Sequence, residues 1–518
     1  MSLFLFRYII IVYPINYTVF IVSNARLPES CRRSAPPIFN KENPMQHYHQ
    51  FFINGQFVTP HGKETLDLFS PVDNQHVAQV TLGDETDTQR AVAAAKAAQK
   101  SFADSTPAQR AAYLQSFKRA LEHRKSDLVE AMIEEYGGVR VFVEPLIEGA
   151  IADVQTMIDL LESYPFERRV GSSLVCLQPV GVVGVVIPWN ASNLFICGKI
   201  SAAIAAGCAS VIKPSELSAR QTQVMMECFA AADLPAGLVN VVNGLGNVVG
   251  NEITRHPDIA KITFTGSTNV GKTIARGAVE SMKRVTLELG GKSPNVILDD
   301  ADLAQVLPQA VGAAYMNSGQ ACVAATRLLV PQSKLAEVNA IVKATVEQAF
   351  QPGNPSDAKV MVGPAVSRSQ YERVQEYIRI GIEDDGAELL TGGLGKPTGL
   401  EAGNFSKATV FTNVGNNMRI AQEEIFGPVL CIIPYQDEAD AVAIANDTAY
   451  GLAAYVSSAS RERALAVAAK LDAGQVKINN PFAHDNQAPF GGMKQSGIGR
   501  EYGEFGISAY LEPKAIVG

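Results

Sequence analysis

Apolar residues change their spacing several times along the chain, and each change marks an element. Residues 51–58 alternate apolar and polar positions around Asn54-Gly55, the pattern of a β-hairpin closed by a tight turn. Over 84–102 and 106–136 the apolar positions recur at three and four residues, which predicts amphipathic helices. From 182 onward, short apolar runs at 182–187, 210–212, 239–242 and 261–265 alternate with helical stretches at 194–206, 220–232 and near 248–254. Runs with no polar face are buried on both sides, and strands alternating with helices predict a parallel, doubly wound sheet. A second cycle of the same kind has strands at 295–298, 326–330, 429–434, 453–456 and 475–478, with helices such as 338–350 and 371–383. Two α/β domains in tandem follow, and the Gly/Pro-rich stretch 392–403 reads as a surface loop.

Composition narrows the class. The 518 residues are 47% hydrophobic and 19% charged, enough apolar material for more than one core. With 44 Lys+Arg against 52 Asp+Glu the net charge is −8, and no long run of like charge appears, which argues against a nucleic-acid partner. The seven cysteines, Cys31, Cys176, Cys197, Cys208, Cys228, Cys322 and Cys431, are odd in number and contain no C-x-x-C pair. They read as the reduced thiols of a cytoplasmic chain, with no metal site. Residues 2–22 are the anomaly, being almost wholly apolar. That length suits a bilayer span, and Ser23-Asn24-Ala25 suits a cleavage site, but Arg7 lies inside the apolar run instead of ahead of it. The reading adopted is that the folded protein begins at Met45, with membrane association expected only if 2–22 is retained.

Several glycine-rich turns point to a nucleotide. Gly244-Leu245-Gly246-Asn247-Val248-Val249-Gly250 follows the strand at 239–242 and opens a helix, in a spacing one residue longer than the usual dinucleotide fingerprint. The strand at 261–265 runs into Phe264-Thr265-Gly266-Ser267-Thr268-Asn269-Val270-Gly271, where Ser267 can place a hydroxyl and an N–H at a helix N-terminus that attracts phosphate. Lys213-Pro214-Ser215-Glu216 follows the strand at 210–212, and a carboxylate there can accept both ribose hydroxyls while repelling a 2′-phosphate. That favours NAD, with NADP as the second choice.

A different constellation carries reactive groups. Gly319-Gln320-Ala321-Cys322 places a cysteine at the end of an Ala-rich helical stretch. Leu287-Glu288-Leu289-Gly290-Gly291-Lys292 places a carboxylate in an apolar strand, where it needs a partner or a raised pKa. Pro188-Trp189-Asn190 adds an amide donor at a strand end. Together they suggest nucleophile, base and oxyanion donor.

From Phe51 to the C-terminus these stretches resemble the aldehyde dehydrogenase superfamily, in its NAD(P)-dependent, non-acylating, bacterial-type branch. The resemblance is carried by Pro188-Trp189-Asn190, Lys213-Pro214-Ser215-Glu216, Phe264-Thr265-Gly266-Ser267-Thr268, Glu288-Leu289-Gly290-Gly291-Lys292, Gly319-Gln320-Ala321-Cys322, Glu423-Glu424-Ile425-Phe426-Gly427-Pro428 and Pro489-Phe490-Gly491-Gly492. It implies two doubly wound, Rossmann-like α/β domains plus a small β-arm used in oligomerisation. Residues 45–161 and 180–290 would form the NAD-binding domain, 291–490 the catalytic domain, and 162–179 with 507–518 the arm of a homodimer or homotetramer, leaving 1–44 outside. It implies that Cys322 attacks an aldehyde to give a thiohemiacetal and then a thioester, that Asn190 and the Cys322 N–H hold the oxyanion, and that Glu288 activates the hydrolytic water. Cofactor contacts are implied for Ile187, Pro188, Trp189, Lys213, Glu216, Gly246, Phe264, Gly266, Ser267, Val270, Leu289, Gly290, Glu424 and Phe426.

Two departures from the family pattern bear on the substrate. Ala191-Ser192 stands where a bulky residue and proline are common, and Gly198 where an aromatic often narrows the tunnel, so a wider or differently shaped mouth is expected. Phe195, Ala321, Val323, Phe482, His484 and Phe490 are the expected lining, with His484 read as a polar loop residue and not a catalytic one. No arginine is evident to clamp an acidic tail, which favours an uncharged, medium-sized or aromatic aldehyde. A CoA-acylating semialdehyde dehydrogenase and a non-catalytic binding or structural protein are the alternatives, and Glu288, Cys322 and Asn190 speak against both.

Overall fold

A computed structural model describes residues 45–518, so the readings of the apolar N-terminal segment lie outside the described residues. Among the described residues no helix is long and apolar enough to cross a membrane.

The first large sheet has eight strands, in the order Gly497–Ile498, Arg284–Glu288, Lys261–Thr265, Val183–Val186, Ser210–Lys213, Val239–Val241, Phe51–Ile53 and Gln56–Val58. The inner five are parallel. Val183–Val186, the first of the five in sequence, lies in the middle, with the second and third on one side and the fourth and fifth on the other. Strand order reverses beside it, and ligands of open α/β sheets bind in the crevice that this reversal opens at the carboxyl ends. One edge is the predicted hairpin, where Asn54 and Gly55 supply two left-handed positions at φ 56° and 76°. The other edge is less expected. Gly497–Ile498, from near the C-terminus, runs antiparallel to Arg284–Glu288 and sets Gly497 opposite Glu288.

The second large sheet has seven strands, Glu388–Thr391, Thr409–Thr412, Val429–Tyr435, Arg327–Pro331, Pro294–Ile297, Ala453–Ser457 and Gln475–Ile478, all parallel except the first. Its strands alternate between two cores. Leu329, Cys431 and Ile433 face one, while Leu328, Val330, Leu430 and Ile432 face the other. Layers on both faces explain why the central strands are largely apolar on both sides.

Helices depart from expectation at three places. The run 106–136 is two helices, Pro107–His123 and Lys125–Tyr136, because Arg124 turns the chain at φ −101°, ψ 11° and anchors its guanidinium to Asp127 and to Glu227 on the helix Ala219–Ala231. The long helix Arg140–Leu161 was not singled out, and it buries Val143, Ile147, Val154 and Ile158 against the first core. Beyond residue 246 the chain makes a wide turn, Gly246–Gly250, before the short helix Asn251–Arg255.

A small antiparallel sheet joins Glu167–Val170, Ser173–Pro179 and Leu511–Ile516, pairing Leu511 with Pro179 at one end and Ile516 with Leu174 at the other. Residues 507–510 are not strand: Ile507 and Ser508 end the helix Gly503–Ser508.

Candidate active site

Carboxyl ends of four parallel strands gather the glycine-rich turns on one edge of the first sheet. Val183–Val186 leads into Ile187, Pro188, Trp189 and Asn190; Ser210–Lys213 ends in Lys213; Val239–Val241 leads to the turn containing Gly246; and Lys261–Thr265 leads to Gly266 and Ser267. Ser267 caps the helix Thr268–Val279, its hydroxyl accepting from the Val270 N–H at 3.4 Å. Lys213 is buried, and its Nζ donates to Pro214 O at 2.7 Å and Glu216 Oε2 at 3.2 Å. Burial lowers its pKa, partly offset by Glu216.

This edge fits a dinucleotide. A Cβ at Gly246 would meet nothing within 4 Å, whereas at Gly266 it would strike the ring of Phe264 at 2.4 Å and at Gly271 the Leu289 side chain at 2.4 Å. Buried Asn243 and Thr265 leave polar side-chain atoms without protein partners along the same edge. Orphaned hydrogen-bonding groups beside an open glycine turn are what an absent polar ligand would satisfy.

Cys322 is not at a helix end, contrary to expectation. The helix Leu303–Ala314 stops early, and Asn317, Ser318 and Gly319 follow in left-handed conformations at φ 51°, 59° and 75°. Such backbone is held only where its surroundings over-determine it. Asn317 Nδ2 donates to Asn190 O at 3.2 Å and Gln320 O at 3.1 Å, Ser318 Oγ accepts from the Gly363 N–H at 2.8 Å, and a Cβ at Gly319 would lie 2.0 Å from Gly427 O. Asn190 Nδ2 donates to the same Gln320 carbonyl at 2.9 Å. One of its two amide N–H groups therefore pins the loop two residues before Cys322, and the second remains for a ligand.

Glu288 ends its strand 2% exposed with neither carboxylate oxygen hydrogen-bonded. Its pKa is raised well above the usual carboxylate range, by burial first and then by Glu501, against the opposing charges of Lys199 and Arg500. A Cβ at Gly491 would stand 2.8 Å from Glu288 Oε1, so only glycine allows that approach. Burial, Glu424 and Glu288 push the Cys322 thiol up to about 12, while the N–H groups of Cys322 and Val323 act the other way. Proximity of Glu288 to the thiol is thus felt electrostatically.

The glycine pair after Glu288 brings the two halves together. A Cβ at Gly291 would lie 2.4 Å from Cys322 O, and one at Gly290 2.3 Å from Glu424 Oε2. Glu424 Oε1 accepts from the Gly291 N–H at 3.0 Å. Phe426, left-handed at φ 61°, sets its ring edge-on to Trp189 at 5.7 Å, and Gln370 Nε2 donates to its carbonyl at 2.8 Å.

The expected lining residues have different neighbours. Phe195 is buried in the first core, and Val323 packs with Ala313, Ala325, Ala453 and Tyr455 beside the partly exposed Ala321 and Cys322. Phe482 faces Gly312, where a Cβ would stand 3.1 Å from its ring. His484 and Phe490 both pack on Tyr502, with ring centres 6.1 and 5.7 Å away, and burial lowers the His484 pKa. A wider or differently shaped mouth is expected at Gly198, and Tyr502 stands beside it, its ring 3.1 Å from where a Cβ would be. Sequence reading missed Tyr502, Asn317, Gln320 and Gln370; only the Asn-Ser-Gly turn before Cys322 carried a local signal, the usual composition of left-handed backbone.

The aldehyde dehydrogenase family profile matches residues 57–516. The chain belongs to that family. This aldehyde dehydrogenase is 41% identical over 476 residues, 92% of its own length and 99% of the relative's, to a 3-succinoylsemialdehyde-pyridine dehydrogenase of a Pseudomonas species. Among solved structures it resembles a variant of aldehyde dehydrogenase C from Pseudomonas syringae in complex with NAD+ and octanal, at 42% identity and TM-score 0.89, covering 91% of this chain and 96% of that one. An aldehyde dehydrogenase from Mycobacterium tuberculosis complexed with NAD+ is similar at 38% identity and TM-score 0.86, covering 92% and 99%. The two α/β domains expected from the sequence are those of this fold, and the protein is an oxidoreductase acting on the aldehyde group.

Proposed function

We propose that this aldehyde dehydrogenase oxidises its substrate to the free carboxylic acid with NAD, through a covalent adduct on Cys322 that water releases. The observation that carries the reading is Glu288, a buried carboxylate with both oxygens unpartnered and its charge felt at the Cys322 thiol. A thiol pushed up to about 12 attacks only as it loses its proton, and Glu288, whose charge bears on it and whose oxygens are unpartnered, is the base assigned to take it, directly or through water.

Cys322 Sγ bonds to the carbonyl carbon as its proton leaves, and the carbonyl electron pair moves to oxygen. The free N–H of Asn190 and the backbone N–H of Cys322 stabilise that oxyanion. Its collapse expels hydride and leaves a thioester on Cys322; NAD, when bound, supplies the two-electron acceptor. Glu288 gives up the thiol's proton to solvent and then takes one from water; the hydroxide adds to the thioester, the C–S bond breaks, and the proton taken from water passes from Glu288 to the departing thiolate. Lys213, Glu216 and Ser267 would hold the adenosine side of the cofactor, and Trp189, Glu424 and Phe426 the nicotinamide side.

The arm is proposed to join subunits into a homodimer or homotetramer. Its outer strands Glu167–Val170 and Leu511–Ile516 leave Val170 and Ile516 exposed beside unpaired edges. A cytoplasmic setting is proposed on the free thiols of Cys176, Cys197, Cys208, Cys228, Cys322 and Cys431.

The test is NADH formation from a panel of aldehydes with and without CoA, in wild type and in Cys322→Ala. NADH should form without CoA and vanish in the variant. Strict dependence on CoA, or an unchanged rate in Cys322→Ala, would overturn the reading.

A further inference from the structure

One buried hydroxyl behind the nucleophile loop has no step of the reaction to perform. Tyr136 ends the helix Lys125–Tyr136 and is fully buried. Its ring lies beside that of Trp189, the residue before Asn190, with centres 5.9 Å apart. Its hydroxyl donates to Asn317 Oδ1 at 3.2 Å. Burial raises that hydroxyl well above the usual tyrosine range, with the Asn317 bond opposing, so it keeps its proton and acts as a donor. Room is cut for the oxygen itself: a Cβ at Gly138 would stand 2.5 Å from both Tyr136 Cζ and Oη. Packing against Trp189 needs only the ring, and a phenylalanine would supply that without burying a polar atom.

Both ends of the Asn317 amide are engaged. Oδ1 accepts from Tyr136, and Nδ2 donates to Asn190 O at 3.2 Å and to Gln320 O at 3.1 Å. An amide's two ends have nearly the same shape, so its partners decide which end faces which way. Turned over, Oδ1 would oppose two carbonyl oxygens. The Gln320 carbonyl that Asn317 holds is also the one that Asn190 Nδ2 meets at 2.9 Å. The two N–H bonds of an amide diverge at a fixed angle in one plane, so the first bond, to Gln320 O, sets the direction of the second. Through Asn317, the Tyr136 hydroxyl thus bears on the backbone carbonyl of Asn190 and on the partner of its side chain.

We propose that Tyr136 is a positioning residue for the oxyanion hole: its hydroxyl, acting through the Asn317 amide, fixes the direction in which Asn190 presents its free N–H to the substrate oxygen. The inference rests on Asn190 being the oxyanion donor. Neither Tyr136 nor Asn317 touches the substrate in this role. A donor displaced by a fraction of an ångström stabilises the oxyanion less, while thiol and cofactor stay as they are.

The test is Tyr136→Phe, which removes one oxygen and keeps the ring. Its kcat/KM for an aldehyde should fall about tenfold, short of the loss of about a hundredfold or more expected when Asn190→Ala removes a donor outright. Alkylation of Cys322 by iodoacetamide, a displacement that builds no oxyanion, should keep its wild-type rate, and NAD+ its dissociation constant. In an Asn190→Ala background Tyr136→Phe should lower kcat/KM no further, because its effect passes through that amide. Asn317→Gly, which suits the φ 51° backbone, should repeat this pattern, and its readouts decide if Tyr136→Phe does not fold. A lower melting temperature with unchanged kcat/KM per folded molecule overturns the proposal, since that is what a structural hydroxyl predicts. So does an equal slowing of alkylation, or losses that multiply in the double variant. If Asn190→Ala itself oxidises aldehyde at the wild-type rate, the oxyanion reading has failed instead, and the inference falls with it.

Discussion

Asp87 and Glu288 are both buried carboxylates in the half of the molecule built on the eight-stranded sheet, and they are treated in opposite ways. Asp87, 0% exposed, opens the helix Glu85–Phe102 and accepts from the N–H groups of His61 at 2.8 Å, Gly62 at 3.0 Å and Asp84 at 3.4 Å, with Arg90 at 3.2 Å. Glu288 is as deep and accepts nothing. A saturated carboxylate ties the 61–62 segment to the start of its own helix, whereas an unsatisfied one destabilises the fold and raises its own proton affinity. Depth alone does not separate scaffold from chemistry. Hydrogen-bond satisfaction does.

Glu288→Gln should give the largest contrast. Removing the base should lower kcat by about a hundred- to ten-thousand-fold while the melting temperature holds or rises, since a neutral amide replaces an unpaired buried acid. A steady-state rate near wild type would remove Glu288 from the mechanism. A fall in melting temperature would mean that its oxygens are satisfied in solution.

The same carboxyl fixes the sign of the pH dependence. Base catalysis needs its ionised form, so a pKa raised well above 4.5, beside a thiol pushed up to about 12, predicts kcat/KM rising with pH through neutrality into the alkaline range. Stability should run the other way. A folded pKa above the unfolded one contributes stability that is full below the unfolded value, roughly 4.3, and is lost as pH rises through the folded one. Glu288→Gln should therefore flatten both profiles, and a rate that falls with rising pH in wild type would contradict the assignment.

Asp87→Ala should do the reverse of Glu288→Gln. Leaving the N–H groups of His61 and Gly62 unmet should cost about 1–3 kcal/mol in urea unfolding, with kcat per folded molecule unchanged. Loss of kcat without loss of stability would put Asp87 in the site.

What the sequence could and could not show follows the same division. Most inner strands of both large sheets were legible because burial on both faces favours apolar runs, as Leu328, Leu329 and Val330 illustrate by facing alternate cores, whereas Glu388–Thr391, Thr409–Thr412 and Gly497–Ile498, short or polar at their ends, carried no such run. The helix Arg140–Leu161 carries a three-and-four pattern too, and Pro145 and Gly149 within it weaken the signal. Cys322, Glu288 and Asn190 were legible through family motifs, not through local pattern. Tyr502 was not legible at all: it approaches Gly198 from 304 positions along the chain, through the return of Gly497–Ile498 to the first sheet. Gly198 taken alone implied a wider or differently shaped mouth, and only tertiary packing shows that Tyr502 stands beside it.

Glu216 lies between the two extremes and sharpens the comparison most finely. Its side chain is 29% exposed, with Lys213 as partner at 3.2 Å. It has enough donors to be stable and enough free oxygen to take ribose hydroxyls, while its charge opposes a 2′-phosphate at the same place. Glu216→Ser should remove that repulsion and release the buried Lys213 ammonium to meet the phosphate. Exposure screens the charge, so the expected gain for NADP relative to NAD in kcat/KM is several-fold, about 1 kcal/mol. Stability should barely move, because Lys213 keeps its bond to Pro214 O. If the preference is unchanged while the melting temperature falls, Glu216 belongs with Asp87 as scaffold, and cofactor choice is made elsewhere on the sheet edge.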